Sequence, residues 1–168
     1  DENKVVLDQK TIVITDKSGP IGMAGVMGGL STAVSGETTS VLFEAAYWPP
    51  TFMAGVARRY GMHTDASLRF ERGVDPNLND LALGRVIDVV SQYSKIKKHT
   101  YNSVVTKPTS PHLNKHIKID MKDFERILGE KISNKFIIDT LSYLGFNPVM
   151  VKNKLKVSVP SHRFDISI

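Results

Sequence analysis

The chain is 168 residues long, carries a net charge of +5 and contains no cysteine. A chain of that size folds as one domain or two small ones and buries enough apolar surface to need no staple. The missing cysteine excludes disulfide frameworks, zinc ribbons, iron–sulfur centres and thiol nucleophiles, and 41% hydrophobic with 23% charged residues is a globular composition. No apolar run approaches the ~18 residues of a membrane span, and the start is not signal-like, so a cytoplasmic protein without a membrane role is expected.

The charge is uneven. Residues 1–110 hold 12 Lys/Arg against 11 Asp/Glu, whereas residues 111–168 hold 10 against 6. A basic surplus raises the prospect of a polyanionic partner through counterion release, against which stands a merely solubilising lysine face.

In chain order, Val5-Val6-Leu7 and Thr11–Thr15 read as paired strands, with a turn at Asp16–Pro20. A glycine-rich stretch runs through Gly22, Gly25, Gly28 and Gly29. Val41–Tyr47 alternates as a strand does. Pro49-Pro50 opens a helix with Phe52, Val56, Ala57 and Tyr60 on one face and Gly61 as its cap, and a second helix is expected from Pro76 to Ser94. Its apolar stripe is Leu78, Leu81, Ala82, Val86, Val89, Val90 and Tyr93.

Pro108 and Pro111, among Ser, Thr, Asn and His, mark a linker at 106–114. Beyond it the pattern is strand (Ile117–Asp120), helix (Met121–Leu128), a turn at Gly129, helix (Asn134–Leu144) and two strands, Phe146–Val151 and Lys154–Val159. The fold expected is α+β: a mixed sheet-and-helix unit over 1–105, then a small winged-helix-like unit over 115–168. The chain starts without Met and stops at Asp165-Ile166-Ser167-Ile168 within an alternating pattern, so an internal piece of a longer protein is expected.

The glycines do not form a phosphate loop or a dinucleotide turn, since neither spacing is present. They mark either close packing or a wall that a ligand approaches. Glu44 sits among apolar strand neighbours, where a carboxylate needs a partner. It is either a structural ion pair, with Arg58, Arg59 or Arg69, or a polar reader inside an apolar pocket. His63, Asp65 and Ser67 are too crowded for a hydrolytic triad, and no Gly-x-Ser-x-Gly elbow exists.

Several blocks together carry a resemblance: Gly25-Val26-Met27-Gly28-Gly29, Val41-Leu42-Phe43-Glu44-Ala45-Ala46, Ala57-Arg58-Arg59 and His63–Pro76. To these the second unit adds Ile127-Leu128-Gly129, Leu141–Phe146 and Val159–Ile166. In this order they resemble the β subunits of bacterial phenylalanyl-tRNA synthetases, specifically the editing domain and the small domain behind it. The resemblance implies hydrolysis of mischarged Tyr-tRNA(Phe), with a water as nucleophile. It places Glu44 as the reader of the tyrosine hydroxyl and Gly28, Thr64 and Ala66 on the pocket wall, with Thr64 orienting water or substrate. It also implies that the editing histidine lies upstream of residue 1, and that Leu68 replaces a histidine many relatives carry. Asp165 falls on the first member of a magnesium-linked acidic cluster whose other members would follow Ile168. For the parent the resemblance implies ATP and Mg²⁺ as cofactors, an α subunit in an α2β2 assembly and tRNA(Phe). For this piece it implies no bound cofactor and at most weak editing. The alternative is a non-catalytic nucleic-acid-binding or subunit-interaction module.

Overall fold

The β-branched run near the start forms a shorter strand than its composition suggests. In the computed structural model, which describes residues 4–94 and 115–166, β1 (Val13–Asp16), β2 (Gly19–Met23) and β3 (Met27–Gly28) make an antiparallel meander. The register pairs Val13 with Met23 and slips between Ile14 and Thr15. Asp16 holds the β1–β2 turn, its carboxylate accepting from the Ser18 amide at 2.7 Å.

Val5–Leu7 forms no strand. The segment after it is instead tied to a helix. The Asp8 amide donates to the Tyr60 hydroxyl at 2.9 Å, and the Thr11 hydroxyl donates to the Asp8 carboxylate at 2.8 Å. Because a hydroxyl has one proton, the 2.6 Å contact between Thr11 and Tyr60 is donated by the tyrosine. Arg59 closes the group with an ion pair to Asp8 at 2.6 Å.

The strand expected over Val41–Tyr47 is also missing: no ladder forms there, and Val41 and Leu42 are exposed. Alternation measures fitness for a sheet surface, but a strand needs a neighbour for its amides, and the described residues supply none. The expected helix after Pro49 divides into α1 (Pro50–Met53) and α2 (Val56–Tyr60) at Gly55, whose φ is 75°. That break turns Met53 into the core, at 3% exposure, and Phe52 out of it. Two longer helices follow, α3 (Asp65–Arg72) and α4 (Asn79–Tyr93). Val26, Met53 and Val56 make the buried centre, with Met23, Trp48, Tyr60, Met62 and Phe70 against it. The stripe of α4 contributes no fully buried residue, and Leu81 and Tyr93 are exposed. Periodicity identified its apolar face, not a covering for it.

The second unit follows its pattern closely. Here β4 (His116–Asp120), α5 (Met121–Leu128), α6 (Asn134–Tyr143), β5 (Asn147–Val151) and β6 (Lys154–Ser158) give an antiparallel sheet ordered β4-β6-β5. Asp120 and Ser133 cap the two helices by accepting from the amides of Lys122 and Phe136. Gly129 (φ 79°) ends the first helix. Ile117, Ile137, Phe146, Leu155, Val157 and Val159 form the core, with Leu155 fully buried. Among the described residues, 4–74 with 78–94 make one unit, and 75–77 with 115–166 the other. The expected linker at 106–114 lies outside the described residues.

Candidate functional site

Thr64 is held by two segments at once, the glycine-rich turn and the first turn of α3. As N-cap of α3 it accepts from the Ser67 amide at 3.1 Å, and its hydroxyl proton goes to the Val26 carbonyl at 2.9 Å. Ser67 reciprocates: its hydroxyl accepts from the Thr64 amide at 3.0 Å and donates to the Thr64 carbonyl at 2.9 Å. This capping box fixes the start of α3 and pins it to the glycine-rich turn, two residues before Gly28. Thr64 therefore has one lone pair left. It can accept a hydrogen from a water or substrate but has no free proton to give. Ser67 is 4% exposed with its proton committed, which removes it as a nucleophile. The Thr64-x-x-Ser67 spacing before a helical stretch carried this signal, with serine in place of the usual glutamate.

The glycines divide into two kinds. A Cβ on Gly25, whose φ is 66°, would lie 2.7 Å from the Met53 side chain, and one on Gly29 would lie 2.7 Å from the Ile21 carbonyl oxygen. The Gly29 amide donates to that same oxygen, and the Val26 amide to Met23, so these amides are not a phosphate cradle. Gly28 differs. It is exposed on β3, and a Cβ there would meet nothing within 4 Å. Packing explains Gly25 and Gly29; at Gly28 the backbone is simply open.

Ala66 follows Thr64 in the first turn of α3 and is exposed. Gly28, Thr64 and Ala66 thus belong to two segments that one hydrogen bond holds together. Glu44 is not joined to them by any hydrogen bond or ion pair. It lies in the irregular stretch before Trp48, which packs on the core. The burial expected for Glu44 is not found, because the strand that would have buried it does not form: the residue is exposed. None of the candidate arginines pairs with it. Arg59 is on Asp8, Arg69 lies 3.9 Å from Asp65, and Glu44 has no partner among the described residues.

Two supports of this region were not legible beforehand. Glu71 of α3 accepts from the Gly55 amide at 3.0 Å, linking that helix to the α1–α2 break. Asp8 gathers Thr11, Lys10 and Arg59, with the Thr11 hydroxyl first among the causes that hold its carboxyl below the usual range.

Asp165 does not fit a magnesium centre. Both its oxygens are held by Arg163, each at 2.9 Å, and that guanidinium also lies 5.7 Å from the Phe146 ring centre. The pair holds the Asp165 carboxyl below its ordinary value, with the Arg163 hydrogen bond the leading cause. Magnesium requires octahedral oxygen ligation, and no group of three or more His, Cys, Asp or Glu suited to a metal exists among the described residues. No described helix is long and apolar enough to cross a membrane.

Comparison with known proteins adds family evidence. Residues 1–95 match the model of the B3/4 domain, and residues 117–168 that of the tRNA synthetase B5 domain. The chain is 39% identical over 168 residues, 99% of its length, to the phenylalanine–tRNA ligase beta subunit of Coxiella burnetii. To the proteins of the same name from Idiomarina loihiensis and Acinetobacter baylyi it is 35% identical, over 100% and 99% of its length. It spans about a fifth of these curated relatives, 21% in each case.

Proposed function

This chain belongs to the B3/4 domain family and carries a tRNA synthetase B5 domain behind it, and on that premise we propose that it is the editing portion, with the following small domain, of a phenylalanine–tRNA ligase beta subunit. The parent attaches phenylalanine to tRNA(Phe) with ATP and Mg²⁺, in the cytoplasm, as an α2β2 assembly with its α subunit. The present region hydrolyses mischarged Tyr-tRNA(Phe). No step is routed through magnesium here, because Asp165 is committed to Arg163.

Tyrosine exceeds phenylalanine by one hydroxyl, and an apolar synthetic pocket rejects an added hydroxyl by only about 100-fold. A second site that requires this hydroxyl closes the gap. Glu44 supplies the requirement. An ionised carboxylate only accepts, so it takes the phenolic proton's hydrogen bond, whereas phenylalanine would leave it desolvated and unpaired. The observation that supports this reading is the absence of any competing partner for Glu44 among the described residues, with all three candidate arginines unpaired to it.

Gly28 contributes open backbone for close approach, and Ala66 keeps room for the ring. Thr64, with a single lone pair free, holds a proton of the attacking water and so turns the water's oxygen toward the aminoacyl ester. Its hydroxyl cannot serve as the general acid, because that proton belongs to Val26. Water attacks the ester carbonyl, the bond to the tRNA ribose oxygen breaks, a proton from the attacking water passes to that oxygen, and tyrosine and tRNA leave. The test is Glu44→Ala in the full-length enzyme. Tyr-tRNA(Phe) should accumulate during aminoacylation with tyrosine present, while phenylalanine charging stays near normal. Lost phenylalanine charging, or no accumulation, would contradict the assignment.

A further inference from the structure

The segment that carries Glu44 is anchored at its end rather than along its length. From Thr39 to Tyr47 the chain lies in no helix or strand, and it makes no backbone–backbone hydrogen bond and no ion pair among the described residues. Phe43, Ala45, Ala46 and Tyr47 are half-buried, but it is Trp48 that packs on the buried centre of Val26, Met53 and Val56. Four residues span at most about 14 Å, so the place of Trp48 bounds where the Glu44 carboxylate goes.

A missing side chain makes room for that indole. A Cβ on Gly25 would lie 2.7 Å from the Met53 methyl, 3.0 Å from the Phe70 ring and 3.1 Å from Trp48 Cδ1. The three side chains therefore close over bare backbone. The indole N–H is shielded from solvent and has no acceptor among the described residues, so shape rather than a hydrogen bond holds the ring. Directly after Gly25, the Val26 carbonyl accepts the Thr64 hydroxyl. One turn thus carries both supports, packing toward the Glu44 segment and a hydrogen bond toward Thr64.

Resting on the reading that Glu44 recognises the tyrosine hydroxyl, we propose that Trp48 is the positioning residue for Glu44, its packing on Gly25 setting the carboxylate relative to Thr64. A hydroxyl–carboxylate hydrogen bond spans about 2.5–3.0 Å and weakens steeply when misaligned, so a carboxylate on an unanchored segment discriminates poorly. A group that must discriminate is held by neighbours whose own rotamers are locked by packing. Trp48 meets that requirement, acting through Glu44 rather than on the ester. Because the indole nitrogen makes no hydrogen bond, a phenyl ring at this position serves the same purpose.

The experiment compares hydrolysis of purified Tyr-tRNA(Phe) and Phe-tRNA(Phe) by the full-length enzyme, with phenylalanine charging and thermal melting as checks of integrity. Trp48→Ala should remove the tyrosyl preference, a loss of at least about tenfold, and adding Glu44→Ala should lower it no further. Trp48→Phe should keep the preference within about twofold. Val56→Ala empties volume in the same core from α2, outside the Glu44 segment, and should lower the melting temperature while the preference stays. Should Trp48→Ala not melt cooperatively, Trp48→Leu replaces it with the same ordering expected. A preference lost in Glu44→Ala but kept in the folded Trp48→Ala or Trp48→Leu enzyme would overturn the positioning role and leave the reading of Glu44 intact. A preference kept in Glu44→Ala would overturn that reading, and the proposal with it. Equal losses in Val56→Ala and Trp48→Ala would overturn the positioning role too, since any core defect would then suffice.

Discussion

Glu44, Thr64 and Gly28 differ in what ties them down, and that difference separates their roles. Thr64 is a structural residue with one lone pair to spare, so its removal damages the start of α3 as well as any chemistry. Gly28 and Glu44 have no such duty, which makes them the cleaner probes. Gly28→Ala should leave thermal stability within about 0.5 kcal/mol. Gly29→Ala should cost about 1–3 kcal/mol, because its methyl must displace the Ile21 carbonyl. Paired melting curves check this contrast. Asp8 makes a pH prediction. Its carboxyl is held below its ordinary value, first by the Thr11 hydroxyl, so its contribution is complete above about pH 4 and is lost as pH falls through the depressed value. Asp8→Asn should therefore lower stability at neutral pH and shrink its acid-induced loss, read as urea midpoints across that range. None of this was visible at Asp8 in the sequence, since its partners Arg59 and Tyr60 lie about fifty residues away.

At the scale of elements, legibility tracked whether local chemistry or a distant partner decides the outcome. The second unit was read almost residue for residue, because caps at Asp120, Ser133 and Gly129 mark helix ends by contacts within a few positions. The Val41–Tyr47 strand failed for the opposite reason: its pairing depends on a neighbour that alternation cannot reveal. Gly55 divided a helix that composition would have run through, and what stabilises the break is Glu71, sixteen residues on. Glu71→Ala should cost about 1–3 kcal/mol by orphaning the Gly55 amide. Glu71→Gln, which keeps an acceptor oxygen, should recover most of it. Denaturant unfolding of the two variants separates a specific hydrogen bond from general loss of charge.

For the whole molecule, family membership and physical reading meet in one claim and diverge in another. The B3/4 and B5 matches cover residues 1–95 and 117–168, and the α+β character expected from pattern is what the two sheets and six α-helices among the described residues show. The candidate site was named as a set of residues by resemblance alone. Its geometry was not legible, since Glu44 was expected in a strand and stands exposed in an irregular segment. A carboxylate can read a hydroxyl from a loop as well as from a strand, provided nothing else claims it. The most direct test compares hydrolysis of purified Tyr-tRNA(Phe), Phe-tRNA(Phe) and O-methyltyrosyl-tRNA(Phe) by the full-length enzyme and its Glu44→Ala variant. The wild type should hydrolyse the tyrosyl ester at least about tenfold faster than the two esters lacking a phenolic donor, and the variant should lose that preference. A Glu44→Ala enzyme that still prefers Tyr-tRNA(Phe) by the same factor would contradict the account.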